Sequence, residues 1–191
     1  MTEQKTETLH KKQSAAHPEL LDTIEECLAG DVKQTALDFV DYCKANKMPI
    51  RWGATYQWYV YYKSKHIACI SLRFKGMVNG SIGTRVEIKE NSCHIQLSYL
   101  NAESPAFEDF IKRENLSEVI WKNVKHCQGC LKTCVPRERT ILGRKFDGVA
   151  ICNDIWFQNP DAAALGCIKE LLDTRRAELG KGGVPSGMFY R

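Results

Sequence analysis

The sequence predicts an α+β fold, on three observations. Apolar residues recur at helical spacing near both ends of the chain, they alternate with period two between residues 57 and 99, and helical and strand-like stretches come in groups instead of alternating one by one.

In chain order, residues 1–17 are polar and read as a disordered tail. Pro18 opens a first helix with Leu20, Leu21, Ile24, Cys27 and Leu28 on one face, and Gly30 is placed to stop it. Asp31 with Gln34 three residues on reads as a capping box for a second helix, whose buried face is Ala36, Leu37, Val40 and Cys43. The short joint between them implies a helical hairpin.

From Pro49 the period changes to two. Trp58, Val60 and Tyr62 alternate with Gln57, Tyr59, Tyr61 and Lys63; Ser64-Lys65 reads as a turn; Ala68, Ile70, Leu72 and Phe74 follow on one side of a second strand. Ile82, Thr84, Val86 and Ile88 read as a third strand and Ile95, Leu97 and Tyr99 as a fourth. Short loops and alternation predict a four-strand antiparallel meander with one face covered, burying Ile70, Leu72, Val86, Ile88, Ile95 and Leu97.

Two short helices follow, one at Ser104-Pro105 with Phe107, Phe110 and Ile111 inward, one capped by Ser117 with Ile120 and Val124 inward. A Cys-rich knuckle spans 126–152. A closing β-hairpin is expected from Ile141 to Phe146 and Val149 to Phe157, turning near Asp147-Gly148. Asn159-Pro160-Asp161 starts a C-terminal helix striped by Leu165, Ile168, Leu171, Leu172 and Arg175. Residues 18–179 thus read as a single domain, and 180–191 as a Gly-rich flexible tail.

In this element order, and in the aromatic hairpin from Trp58 to Phe74, the chain resembles small bacterial α+β families of the YdhG type over residues 18–178. The resemblance implies the fold class and transfers no catalytic residue, because such families have no settled activity. The knuckle lies outside their pattern.

Composition excludes some functions. No run of about 18 apolar residues is present, so no transmembrane helix is expected. Residues 1–16 lack the apolar core of a signal peptide, which predicts a cytoplasmic protein with reduced thiols. Nine cysteines, an odd number, cannot all pair within one chain.

Three constellations carry chemistry. The first is Cys127-x₂-Cys130-x₃-Cys134 with Cys152. Thiolates at these gaps can converge on one point, and soft sulfur suits zinc or, as the lesser choice, an iron–sulfur cluster; His126 is a substitute ligand. Free surface thiols and a Cys127–Cys130 disulfide are the plainer alternatives.

The second is a basic surface. Lys122, Lys125, Lys132, Arg137, Arg139, Arg144 and Lys145 stand against Glu138 alone in a chain whose net charge is only +4. These cations suit either a nucleic-acid surface or a field compensating zinc-bound thiolates, and the second is preferred. The third is aromatic: Trp52, Tyr56, Trp58, Tyr59, Tyr61 and Tyr62 fall within eleven residues. With Arg73, the set Trp52, Tyr56, Tyr59 and Tyr61 suits a face for a small molecule or protein partner, against the plainer reading of cross-strand packing.

The leading reading is a non-enzymatic cytoplasmic domain with a structural zinc site and an aromatic-lined face. A thiol-redox or metal-dependent enzyme using Cys127, Cys130 and Cys134, and a basic nucleic-acid-binding module, stay open beside it. No nucleophile elbow, catalytic triad order or phosphate loop is present, and no membrane partner is expected.

Overall fold

A computed structural model describes residues 18–54, 56–75, 78–79, 86–88, 90–97, 105–124, 126, 137–149 and 155–180. It is an α+β fold built on an antiparallel sheet of five strands. In chain order the elements are α1 (Leu20–Cys27), α2 (Gly30–Ala45), β1 (Ile50–Ala54), β2 (Gln57–Tyr62), β3 (Lys65–Arg73), β4 (Val78–Asn79), β5 (Val86–Glu87) and β6 (Ser92–Leu97). They continue with α3 (Pro105–Arg113), α4 (Ser117–Lys122), β7 (Arg137–Ile141), β8 (Arg144–Val149), β9 (Ile155–Gln158) and α5 (Ala162–Gly180).

The main sheet runs β1-β2-β3-β6-β9. Its register lines side chains into rows, because successive residues of a strand point to opposite faces. Trp52, Trp58, Ile70, Ile95 and Phe157 stand opposite one another across all five strands, and so do Ile50, Val60, Ala68, Leu97 and Ile155. These rows form the core face. Phe39, Val40 and Cys43 of α2, and Leu165, Ile168, Leu171 and Leu172 of α5, are buried in the same cluster. Tyr42 ties the two helices together by donating its hydroxyl proton to the Lys169 carbonyl at 2.8 Å.

The α5 stripe is as the spacing predicts: Leu165, Ile168, Leu171, Leu172 and Arg175 are all buried. Asp161 supplies its cap, accepting from the Ala164 amide at 2.8 Å. Ile70, Leu72, Ile95 and Leu97 are fully buried, as expected, while Ile88 is half-buried.

Several details differ from the sequence expectation. The meander is interrupted: β3 pairs directly with β6, and residues around 78–87 form a separate two-strand ladder, β4 with β5. Of the expected third strand, Val86–Glu87 is strand and pairs outside the main sheet, while Ile82 and Thr84 lie outside the described residues. Ile50–Ala54 adds an edge strand that the sequence reading omits. The closing hairpin is β7–β8 and turns at Leu142-Gly143, so Asp147-Gly148 lies inside β8, and β9 leaves the hairpin to join the main sheet beside β6. The capping box is not formed. Gln34 bonds forward to Asp38 at 2.8 Å, and α2 has no side-chain cap. Ser117 is the first residue of α4, whose N-cap is Leu116. The side chains of Val86 and Phe107, and all of Thr84 and Tyr99, lie outside the described residues.

Asn159 fastens the end of the sheet. The buried Cys93 amide donates to Asn159 Oδ1 at 2.8 Å, and the Asn159 amide donates to the Cys93 carbonyl at 2.8 Å. Asn159 adopts φ 44, a left-handed conformation that asparagine tolerates better than most residues. Asn159→Ala should therefore cost about 2–3 kcal/mol, from an orphaned buried amide and from the left-handed backbone. Asn159→Gly should cost roughly 1 kcal/mol less than Asn159→Ala, because glycine removes the second penalty. Urea denaturation of the three proteins, with an unchanged slope, measures both differences.

Candidate functional site

At the β1 edge of the sheet, on the helix side, lies a groove of about 590 Å³. Three pieces of chain bound it: Pro18 to Leu21 entering α1, the last turns and exit of α2, and Pro49 to Trp52 of β1. Its floor is apolar and buried, made by Leu20, Val40, Met48 and Trp58. Trp58 is held in place by its indole N–H, which donates to the Pro18 carbonyl at 3.0 Å. Trp52 is half-buried in the wall. Lys44 and Lys47 stand exposed on the lining, with Glu19 the one carboxylate among the lining residues; Arg51 borders the groove too, but its guanidinium lies on the opposite face of the sheet.

The exit of α2 shapes the groove. The Met48 amide donates to the Cys43 carbonyl at 2.9 Å and the Lys47 amide to the Lys44 carbonyl at 3.1 Å. This is a Schellman ending, in which Lys47 takes the left-handed position at φ 56 that glycine normally fills. Met48 is turned under the helix and buried.

The opposite face of the sheet is polar and aromatic. Its rows are Arg51, Tyr59, Cys69, Gln96 and Trp156, and beside them Gln57, Ser71, His94 and Gln158. A bulge between Val60 and Tyr61 brings His66 beside both tyrosines, with ring centroids 4.6 Å from Tyr59 and 5.9 Å from Tyr61. Arg51 lies over Tyr61 at 5.4 Å. At the other end His94 meets Trp156 edge-on at 5.2 Å and shares a hydrogen bond with Ser92 Oγ at 3.0 Å. Arg73 ends β3, half-buried.

The expected aromatic set is thus divided. Tyr59 and Tyr61 come together around His66 on the face that also carries Arg73. Trp52 goes to the groove on the helix side. Tyr56 is buried edge-on against Phe74, centroids 4.4 Å apart. Lys44, Lys47 and His66 are the residues that sequence reasoning missed, since none belongs to a motif.

Cys127, Cys130, Cys134 and Cys152 all lie outside the described residues, as do Lys125 and Lys132. Burial holds the described thiols toward their protonated form. Burial pushes Cys43, Cys69, Cys93 and Cys167 up to about 12, and burial with the neighbouring Glu26 charge raises Cys27. Among the described residues, no cluster of His, Cys, Asp or Glu is arranged to hold a metal ion. His126 pairs through its backbone with Val149, and its Nδ1 is 2.8 Å from the Asp147 carbonyl. That partner is an acceptor only, so the contact places a proton on Nδ1.

On the basic surface, Arg144 lies over the rings of Trp121 and Phe146, at 5.5 and 5.4 Å, and Lys145 pairs with Glu138 at 3.2 Å. Arg139 is half-buried, and the side chain of Arg137 lies outside the described residues. No described helix is long and apolar enough to cross a membrane. Comparison with protein families, curated proteins and solved structures gives no match.

Tyr59 fits where it does because residue 53 is glycine: a Cβ there would sit 2.3 Å from the Tyr59 ring. Burial lowers the pKa of His66, partly offset by its backbone hydrogen bond at Ala68. A depressed histidine takes up its proton later in the folded than in the unfolded chain, so this site should lose stability as pH falls below about 6.5. Gly53→Ala should push Tyr59 off His66 and raise the His66 pKa toward its ordinary value. An NMR titration of the imidazole reads that shift, and an unchanged curve would show that Tyr59 does not shield the ring.

Proposed function

We propose that this chain is a non-enzymatic binding domain that holds a small molecule in the groove beside β1. The groove itself is the observation that carries this reading. Its volume falls within the roughly 300–1,000 Å³ usual for small-molecule sites, and it combines buried apolar floor residues with a few charged groups on its lining. The raised thiol pKa values supply no activated nucleophile among the described residues, which favours binding over thiol chemistry there. A library of small apolar acids, amides and amines, screened by thermal shift, tests the reading. Hits should stabilise the protein, and Trp52→Ala should weaken them by about tenfold or more, the scale expected for losing one large aromatic contact. Hits that Trp52→Ala leaves unchanged bind elsewhere.

The same reading gives the Cys-rich segment a structural zinc, held by Cys127, Cys130, Cys134 and Cys152 in a cytoplasmic protein. The donor set suits it: three thiols at short gaps with a fourth beyond. His126 offers a substitute, because its Nδ1 contact leaves Nε2 available for a metal. Zinc would contribute cross-linking of this segment, with no catalytic step assigned to it. Protein purified without a metal-affinity tag should contain one zinc per chain by elemental analysis, and Cys130→Ser should lose it. Full zinc retention in that variant would remove Cys130 from the site.

A further inference from the structure

The lining of the groove narrows the chemistry of what it takes. We propose that its ligand is a monocarboxylate with an apolar body, the body lying against Trp52, Trp58 and Met48 and the carboxylate between Lys44 and Lys47. This rests on the groove being a binding site, and it commits that reading to one charge sign.

Charge is the first argument. Two ammonium groups, Lys44 and Lys47, and one carboxylate, Glu19, line the groove, and the Arg51 guanidinium lies over Tyr61 on the other face of the sheet. An ammonium ligand would meet repulsion from most of the lining, and a neutral ligand would leave the cations unused. Grouped like charges beside low-dielectric walls raise the local concentration of anions and their rate of arrival.

Polarity is the second. The floor offers aliphatic and indole surface, and the Trp58 N–H is already committed to the Pro18 carbonyl. The inner end therefore suits hydrocarbon, and the outer end suits a small anion. A highly charged phosphate ester without an apolar body would gain nothing from Leu20, Val40 and Met48.

Backbone strain is the third. Lys47 occupies a left-handed position at φ 56, where glycine would cost less. A side chain kept at such a position, on the wall of a groove, is consistent with use of its ammonium group.

The test is calorimetric titration of the full chain with two acids, 2-naphthoate and decanoate, and with their neutral amides. The acids should bind about three- to tenfold tighter than the amides at low salt, the scale expected from exposed ion pairs, and added salt should narrow the gap. The aromatic and alkyl pairs then distinguish which apolar body the floor prefers. Lys47→Gly should narrow the acid–amide gap while raising or holding the thermal midpoint, so that weaker binding cannot be laid to unfolding. Lys44→Gln should narrow it further. Equal affinity for acids and amides overturns the carboxylate proposal and leaves the groove as a binding site. Absence of binding by all four compounds overturns the binding reading itself.

Discussion

β3 meets β6 with Ile70 opposite Ile95 and Ser71 opposite His94. On that register rest both the core and the outer face. Shifting β6 by one residue against β3 would turn His94 and Gln96 toward the helices and send Ile95 and Leu97 out. Each buried aliphatic side chain is worth about 1.5–3 kcal/mol, and each buried polar group without a partner costs a further ~1–3 kcal/mol. A slip therefore costs an amount comparable with the whole stability of an ordinary domain, roughly 5–15 kcal/mol. The same register carries outward through β2 to β1, so it also sets which aromatic residue faces the groove and which faces away.

The parts legible in the sequence are those in which a period and a burial pattern coincide. The α5 stripe and its Asp161 cap are of that kind, as are the apolar rows of β2 and β3. The parts not legible depend on partners far away in the chain. Residues 82–88 alternate like a strand, yet alternation does not say which strand will pair with it. Turns misled for a local reason. Asp147-Gly148 has the composition of a two-residue hairpin turn, but the chain turns at Leu142-Gly143, with φ 52 and φ 78. Likewise Lys63 and Ser64 take φ 45 and φ 63, so the β2–β3 turn is built without the Asn or Gly that would announce it.

The candidate site shows the same division. Aromatic density between 52 and 62 marks a region and says nothing of sidedness. Alternation separates Trp58 from Tyr59 correctly, but β1 was needed to place Trp52 opposite Trp58 and so on the helix face. The groove draws on residues 18–21, 40–52 and 58, three pieces with no shared motif. Only the folded chain brings the end of α2 beside the start of α1 and the edge of the sheet. His66 reaches the tyrosines through a bulge, which no simple alternation anticipates.

β1 itself is held by its joints more than by its own composition. Its five residues, Ile50 to Ala54, include Gly53 and the exposed Arg51, a weak strand by propensity. On one side of it Lys47 is left-handed at φ 56, and on the other Tyr56 is left-handed at φ 56. Each such residue costs about 1–2 kcal/mol. The opposing gains are visible at both ends. Met48 is buried under α2 beside Cys43. Tyr56 is buried against Phe74, and its carbonyl accepts from the Leu72 amide at 2.9 Å. Two strained joints, each secured by a buried side chain and a backbone hydrogen bond, fix an edge strand that its own residues would not hold. That strand supplies Trp52 to the groove and Arg51 to the opposite face. The position of the groove wall is therefore set by contacts that lie outside the groove.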